Sequence, residues 1–352
     1  MTPTEVTGPP NATRLIMHWI DFPDDRFVVN GLPWWSETSP HLIRLPERYK
    51  DRVRDAVWGL AQAPSGARVR FATDATALGL KLHYPRLNHM NNMPRIGQLG
   101  VDVYVDGEYW RPVFPAGDDH DLEAVAFDGM PAQRREICLY ASLYAPVQVQ
   151  AIGLSEDATV GAPAAFAVEK PVAYYGSSIT QGGCASRAGM SYQAIVSRAL
   201  NVDFVNLGFS GNGRGEPELA EAMAEIDASC YVLDWAVNCP TLDECEERYA
   251  PFLQIIRDAR PDTPVICVTP IFSTNEILNP ETAKQEAMRE IIRGAVRERV
   301  EAGDEMVRLV EGYRMLGPDD REGLVDMTHP NDIGFVSMAR GLEPHLRAVL
   351  GV

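Results

Sequence analysis

Cysteine is sparse in this chain, runs of basic residues are missing, and no apolar stretch is long. Six cysteines (Cys138, Cys184, Cys230, Cys239, Cys245 and Cys267) are spread over 352 residues with no Cys-x-x-Cys spacing, which leaves no disulfide framework to read. Reduced thiols in a cytoplasm are the expectation; a Cys239–Cys245 disulfide is the alternative and needs an oxidising compartment. Against 49 acidic side chains stand 32 basic ones, a formal net charge of −17. Nucleic acids and anionic membranes are held through clustered Lys and Arg, so neither is expected as a partner. Apolar stretches are broken by charge or proline well below the ~20 residues that span a bilayer. The opening MTPTEVTGPPNATRLIMHW has no basic segment leading into an apolar one, so no secretory leader is expected.

What the chain does have is a 45% hydrophobic composition, enough for a large core. Its length exceeds the roughly 250–300 residues at which a single core stops growing. Two domains are therefore expected, 1–165 and 166–352, with the Ala- and Pro-rich segment Gly161–Pro171 between them. The first half alternates apolar and polar residues with period two: Val69 and Phe71; Leu78, Leu80 and Leu82; Val101, Val103 and Val105; Val147 and Val149. That period marks half-buried antiparallel strands. Asp106-Gly107 follows the third run as a two-residue hairpin turn, because both positions need a positive φ. A jelly-roll-like β-sandwich is the expectation, with one helix over Glu47–Ala61 presenting Val53, Val57 and Leu60.

After Pro171 the texture changes to short, nearly continuous apolar runs separated by amphipathic stretches, as in a parallel sheet buried on both faces. The runs predict strands at Val172–Tyr175, Asp203–Asn206, Cys230–Trp235, Val265–Thr269 and Val307–Val310. Helices are predicted over Ser191–Leu200, Pro217–Ile226, Asp243–Arg260, Glu281–Glu301 and Ile333–Leu350.

In open α/β sheets the site lies beyond the carboxyl ends of the strands, and four of these ends carry chemistry together. Gly176-Ser177-Ser178 puts a serine on the turn that opens a helix, where the dipole favours developing negative charge. Asn206-Leu207-Gly208-Phe209-Ser210-Gly211-Asn212-Gly213 is a loop of small residues whose amides can point at a ligand. Asp234-Trp235-Ala236-Val237-Asn238 leaves a neutral amide donor at a strand tip. Asp326-Met327-Thr328-His329 spaces a carboxylate three residues from an imidazole, so that it can hold the Nδ1–H and turn Nε2 outward as a base. Pro330 keeps His329 out of a helix, and Asn331 or Asp332 can cap the helix that follows. Each piece alone has a bland reading: a serine cap, a glycine turn, a structural Asn, a solvated His. In combination they supply a nucleophile (Ser178), an oriented base (His329 with Asp326) and oxyanion donors (the Ser178 and Gly211 amides and the Asn238 side chain), which is what acyl transfer requires.

Gly-x-Ser, Gly, Asn and Asp-x-x-His in this order, in YGSSITQG, NLGFSGNG, DWAVN and DMTHPND, resemble the SGNH/GDSL hydrolase superfamily. The resemblance implies a flavodoxin-like, three-layer α/β domain of strand order 2-1-3-4-5. GVDVY at Gly100–Tyr104 resembles the Gly-x-Asp-Leu-Tyr motif of a β-sandwich that precedes the catalytic domain in one two-domain branch. Two departures stand out: Ser177 replaces the Asp that commonly precedes the nucleophile, and Ala236 stands where the Asn block often has Gly.

The expected activity is a cofactor- and metal-independent serine esterase acting on a small-molecule O-acyl ester, with a short acyl group such as acetyl on a carbohydrate or other polar metabolite. An acyltransferase using the same acyl-enzyme is the close rival; a non-catalytic carbohydrate-binding protein is the reading from another class. Trp235, His89 and Asn91 are candidate substrate contacts, the latter two on the polar loop Arg86–Met93, read either as a solvated connection or as a lid over the serine. Asp118, Asp119 and His120 are too close in sequence to converge on one ion. Trp34 and Trp35 could stack on a sugar, though tryptophan more often fills a core.

Overall fold

The computed structural model describes residues 16–352; residues 1–15, most of the segment read for a leader, lie outside it. Two antiparallel sheets come first. One has four strands in the order Met17–Asp21, Gln148–Ser155, Leu78–His83, Asp121–Phe127. The other runs Val160–Gly161, Arg68–Thr73, Arg135–Tyr140, Val101–Val105, Glu108–Val113, with Val28–Asn30 also paired to Arg68–Thr73. The inward residues of both, including Phe71, Leu80, Val103, Leu139 and Ile152, form one core, as alternation on a half-buried sheet requires. Asp106 and Gly107 have φ of 51° and 82°, the positive values that a two-residue hairpin turn demands.

The second half is a five-stranded parallel sheet in the order Val202–Gly208, Val168–Gly176, Cys230–Asp234, Val265–Val268, Val307–Val310. The first strand in the chain is flanked by the second and third, the flavodoxin-like arrangement. Helices Pro217–Glu225, Leu242–Ala259 and Gln285–Glu301 cover one face; Tyr192–Leu200 and Asp332–Leu350 cover the other. The three inner strands, paired on both sides and covered on both faces, have no solvent face to keep polar, which is why their sequences are near-continuous apolar runs.

The two halves share a core. Trp34, Leu45, Tyr49, Val57 and Ala61 from the first half pack among the helices of the second. Here the expected helix over Glu47–Ala61 is corrected: it is a single turn at Glu47–Tyr49, a break, and a helix over Asp55–Ala61. Arg54 is extended at the break, and Arg52 and Arg54 pair with Glu221 and Glu216 across the seam. The apolar face survives, with Val57 buried and Val53 and Leu60 packed against the same core. Trp34 is buried and donates its indole N–H to Glu225 at 2.9 Å, so it is not free to stack on a sugar; Trp35 is half-buried against the sandwich core. All six cysteines are free thiols, which corrects the alternative Cys239–Cys245 disulfide. Among the described residues no helix is long and apolar enough to cross a membrane.

Candidate active site

The strand Val168–Gly176 is the point from which the chain departs to either side of the sheet, and crevices form at such points. Gly176 ends it in tight quarters: a Cβ there would lie 1.9 Å from Thr180 Oγ1 and 2.4 Å from the Asp234 carbonyl oxygen, so only glycine fits. Ser177 caps the short helix Ser178–Gln181 by accepting from the Ile179 amide at 3.2 Å. A hydroxyl therefore does what the more common Asp would do at this position. Ser178 follows, 8% exposed, at the helix N-terminus.

Its Oγ lies 2.9 Å from His329 Nε2. The other ring nitrogen, Nδ1, is 2.9 Å and 3.1 Å from the two carboxylate oxygens of Asp326. Asp326 also accepts the backbone amides of Thr328 and His329, each at 2.8 Å, so the loop is wrapped around its own carboxylate. A bridge between Leu324 and Pro330 closes this loop, and Asn331 caps the helix Asp332–Leu350 by accepting from Ile333 and Gly334. An imidazole held in this way keeps its proton on Nδ1 and offers Nε2 to a hydroxyl.

The remaining expected donors follow the two strands that flank Val168–Gly176. Gly211 has φ +66° with open space where a Cβ would stand, and among the described residues its amide and that of Ser178 donate to no backbone carbonyl. Asn238 ends the single turn Ala236–Asn238 and donates one amide proton to the Phe209 carbonyl at 3.2 Å, which pins the carboxamide and leaves its second N–H. Ala236 packs into the core, so the turn forms without glycine.

Trp235 does not belong to this group, which corrects its reading as a substrate contact. It is 1% exposed and stacked on Tyr249, with centroids 5.2 Å apart and planes at 17°. Trp235 follows the end of the strand Cys230–Asp234 and packs under the helix Leu242–Ala259, with Phe252 also beside it. His89 and Asn91 are exposed on their loop, and no hydrogen bond joins either to Ser178, His329 or Asp326 among the described residues. Their neighbour Asn92 reaches instead, donating from Nδ2 to Asp326 Oδ2 at 3.0 Å. Loop 86–93 is itself fastened, with Gln98 donating to the Met93 carbonyl at 2.6 Å and accepting from the Met90 amide at 2.9 Å. More of the first half converges here: Tyr144 donates to the Ser178 carbonyl at 3.3 Å, Ser65 to that of Gln181 at 2.7 Å, and Arg44 to those of Asn206 and Gly208 at 3.1 and 2.5 Å.

Desolvation would raise the Asp326 carboxyl, but the His329 amide, the Asn92 carboxamide, the Thr328 amide and the imidazole together hold it well below the usual carboxylate range. Asp234, beneath the nucleophile turn, goes the other way. Burial pushes it up to about 7, against the opposing hydrogen bonds of Tyr192 and Thr180. Cys184, Asp326 and His329 bring their ligand atoms within 4.8 Å of one another. Two of the three are already engaged with each other, and burial with the Asp326 charge pushes the Cys184 thiol up to about 12, so it stays protonated. Asp118, 3.3 Å from Arg95, and His120, 2.5 Å from the Tyr84 carbonyl, have separate partners.

A buried serine on a helix-opening turn, an imidazole backed by a carboxylate and a parallel sheet preceded by a β-sandwich define a two-domain SGNH-type enzyme of acyl ester hydrolysis or transfer. The chain belongs to the GDSL-like lipase/acylhydrolase family, whose model matches residues 169–347, more than half its length. A second model, the N-terminus of SGNH hydrolase-type esterases, matches residues 17–160. A structure from Bacteroides ovatus described as a GDSL-like lipase shares 29% identity with a TM-score of 0.86, covering 96% of this chain and 98% of that one. The salicylyl-acyltransferase SsfX3 from a tetracycline biosynthetic pathway has a similar fold at 22% identity, TM-score 0.80, covering 97% and 99%. A family two carbohydrate esterase from Clostridium thermocellum, solved with cellohexaose, shares the fold at 17% identity, TM-score 0.64, covering 82% and 94%. No curated protein matches the chain.

Proposed function

We propose that this protein is a serine esterase that removes a short acyl group, such as acetyl, from a hydroxyl of a carbohydrate or another polar small molecule. The observation that carries the reading is the unbroken relay from Ser178 Oγ through His329 to Asp326, at 2.9 Å on each side of the ring. Ser178 Oγ attacks the ester carbonyl as His329 Nε2 takes its proton; Asp326 stabilises the imidazolium. The amides of Ser178 and Gly211 and the Asn238 side chain receive the oxyanion. Collapse of the tetrahedral intermediate breaks the bond to the leaving alcohol, which takes the proton from His329 and leaves an acyl-enzyme. Water, deprotonated by the same imidazole, then releases the acid and restores Ser178. No step uses a metal or cofactor.

Transfer to an acceptor hydroxyl is the second reading, supported by the likeness in fold to the salicylyl-acyltransferase over nearly the whole of both chains. A non-catalytic binder would have no use for a hydrogen-bonded relay. We further propose 1–165 and 166–352 as domain bounds, supported by the junction between strands Val160–Gly161 and Val168–Gly176, and a cytoplasmic location, supported by six free thiols. The deciding experiment is product mass after incubating the wild type and Ser178→Ala with short-chain aryl esters, with and without a polyol. Free acid made by the wild type alone supports the esterase, and a dominant acylated polyol moves the assignment to transfer. Equal turnover by both proteins sinks the nucleophile.

A further inference from the structure

The two polar side chains of GVDVY, Asp102 and Tyr104, both reach one segment of the α/β half, Cys184–Met190, which follows the nucleophile helix. Asp102 is 0% exposed in the strand Val101–Val105 of the sandwich. Its Oδ2 accepts the Gly189 amide at 2.8 Å and Arg187 Nη1 at 3.1 Å, while Oδ1 has no partner among the described residues. Tyr104 accepts from the same Arg187 Nη1 at 2.5 Å and lies against Gly189, where a Cβ would stand 2.3 Å from its hydroxyl oxygen. Arg198 completes the clasp, donating to the Gly189 carbonyl at 2.8 Å with its guanidinium 4.6 Å from the centroid of the Tyr104 ring. Burying a carboxyl group is costly, and here it pushes the Asp102 carboxyl up, against the Gly189 amide and the Arg187 guanidinium. Both bonds that offset this cost lead to the one segment.

That segment runs between the two sides of the relay. It begins just after Gly182, which caps the helix Ser178–Gln181. Cys184 has φ +76°, a region that strains any residue with a side chain, and its Sγ lies within 4.8 Å of the ligand atoms of His329 and Asp326. Ser186 donates its amide N–H to Asp332 Oδ1 at 2.8 Å and its hydroxyl to Oδ2 at 2.5 Å. Asp332 opens the last helix, three residues after His329. Gly97 of the sandwich presses on the same stretch, for a Cβ on it would stand 2.3 Å from the Ala185 carbonyl oxygen. Strained backbone persists only where the surroundings over-determine it. Cys184 is held in this way, by the Ser186–Asp332 bonds and by the Asp102 clasp beyond them.

We propose that Asp102 is a positioning residue for the ester reaction: it fixes the segment Cys184–Met190, which through Ser186 and Asp332 sets where His329 stands relative to Ser178. The inference rests on the serine-esterase reading given above. In that reading His329 returns a proton to the leaving alcohol. An ethoxide cannot leave without that proton, whereas a p-nitrophenolate can, so a displaced imidazole costs an alkyl ester more than an aryl ester. A clasp that only held the fold together would change the amount of active protein and lower both rates alike.

The test compares the full chain with its Asp102→Ala, Asp102→Asn and Ser186→Ala variants on ethyl acetate and p-nitrophenyl acetate, as kcat/KM, with folding checked by circular dichroism. Asp102→Ala and Ser186→Ala are expected to lower the ratio of the ethyl to the aryl ester by about tenfold or more, within what a positioned general acid contributes. Asp102→Asn keeps an oxygen for the Gly189 amide and is expected to restore most of the ratio. Ser186→Ala, at a half-buried position, serves as the second variant should Asp102→Ala fail to fold. An unchanged ratio in the folded variants overturns the inference and leaves the esterase reading standing. Turnover that Ser178→Ala retains in full removes both.

Discussion

At the scale of single residues, the site depends on donors that hold charge in place. Asn238 has one N–H tied to Phe209; with the other in the proposed role of oxyanion donor, Asn238→Ala should lower kcat by about 10²–10³ with KM little changed, and a loss below tenfold in steady-state kinetics would make it structural. Asn92 acts one step back, on Asp326. Removing a hydrogen bond to a charged group costs roughly 1.5–3 kcal/mol, so Asn92→Ala should reduce kcat on the order of tenfold. The sign of its pH effect follows from the depressed Asp326 carboxyl. With one donor gone the carboxylate charge is less stabilised by other partners and attracts the imidazolium more strongly, so the acid limb of the kcat profile, which the base sets, should move to higher pH; an unmoved limb would show that Asn92 only packs. Treatment with a chelator should leave turnover unchanged, and inactivation restored by a divalent ion would turn the Cys184–Asp326–His329 group into a metal site. The juxtaposition of Ser178, His329 and Asp326 was legible because each follows a strand or opens a helix within a short local pattern. Asn92 was not, since its partner lies 234 residues away and only the fold joins them. Trp235 misled because the strand stops at Asp234 and the residue after it packs under a helix whose approach the local sequence does not reveal.

At the scale of elements, the buried end of the strand Cys230–Asp234 carries a liability. Asp234 titrates near 7 when folded against an ordinary 3.8, so the folded state holds a proton that the unfolded chain releases. Ionisation in the fold is disfavoured; the resulting destabilisation is absent below pH about 4, grows through the window between the two values and is complete above about 7. Asp234→Asn keeps an acceptor for Tyr192 and Thr180 and should flatten the fall in Tm between pH 5 and 8, raising Tm at pH 8 by several degrees. Parallel melting curves that remain as steep in the variant would contradict this. The elements of the α/β half were readable to within a few residues because buried apolar runs and helix caps are local signals. The break between Tyr49 and Asp55 was not, because the helix Pro217–Glu225, to which Arg52 and Arg54 pair there, is remote in sequence.

At the scale of the whole molecule, the halves are knitted rather than tethered. Trp34, Leu45, Tyr49 and Val57 fill the core of the second half, and Arg44, buried, binds carbonyls on the strand that leads to the Gly211 loop. Both halves are therefore expected to unfold together, giving one calorimetric transition with equal calorimetric and van't Hoff enthalpies; two resolved peaks would show separate domains. The change of texture near Pro171 was plain in the chain, while the threading of residues 34–61 into the other core was hidden, since an apolar face does not announce its partner. That threading sets a rule for anyone recombining such proteins. The sandwich is not an interchangeable cassette: a foreign one grafted onto this α/β half would bring activity only if it carried counterparts of Arg44, Ser65, Asn92 and Tyr144, so natural or laboratory swaps are expected to succeed at junctions that move these four positions as a set.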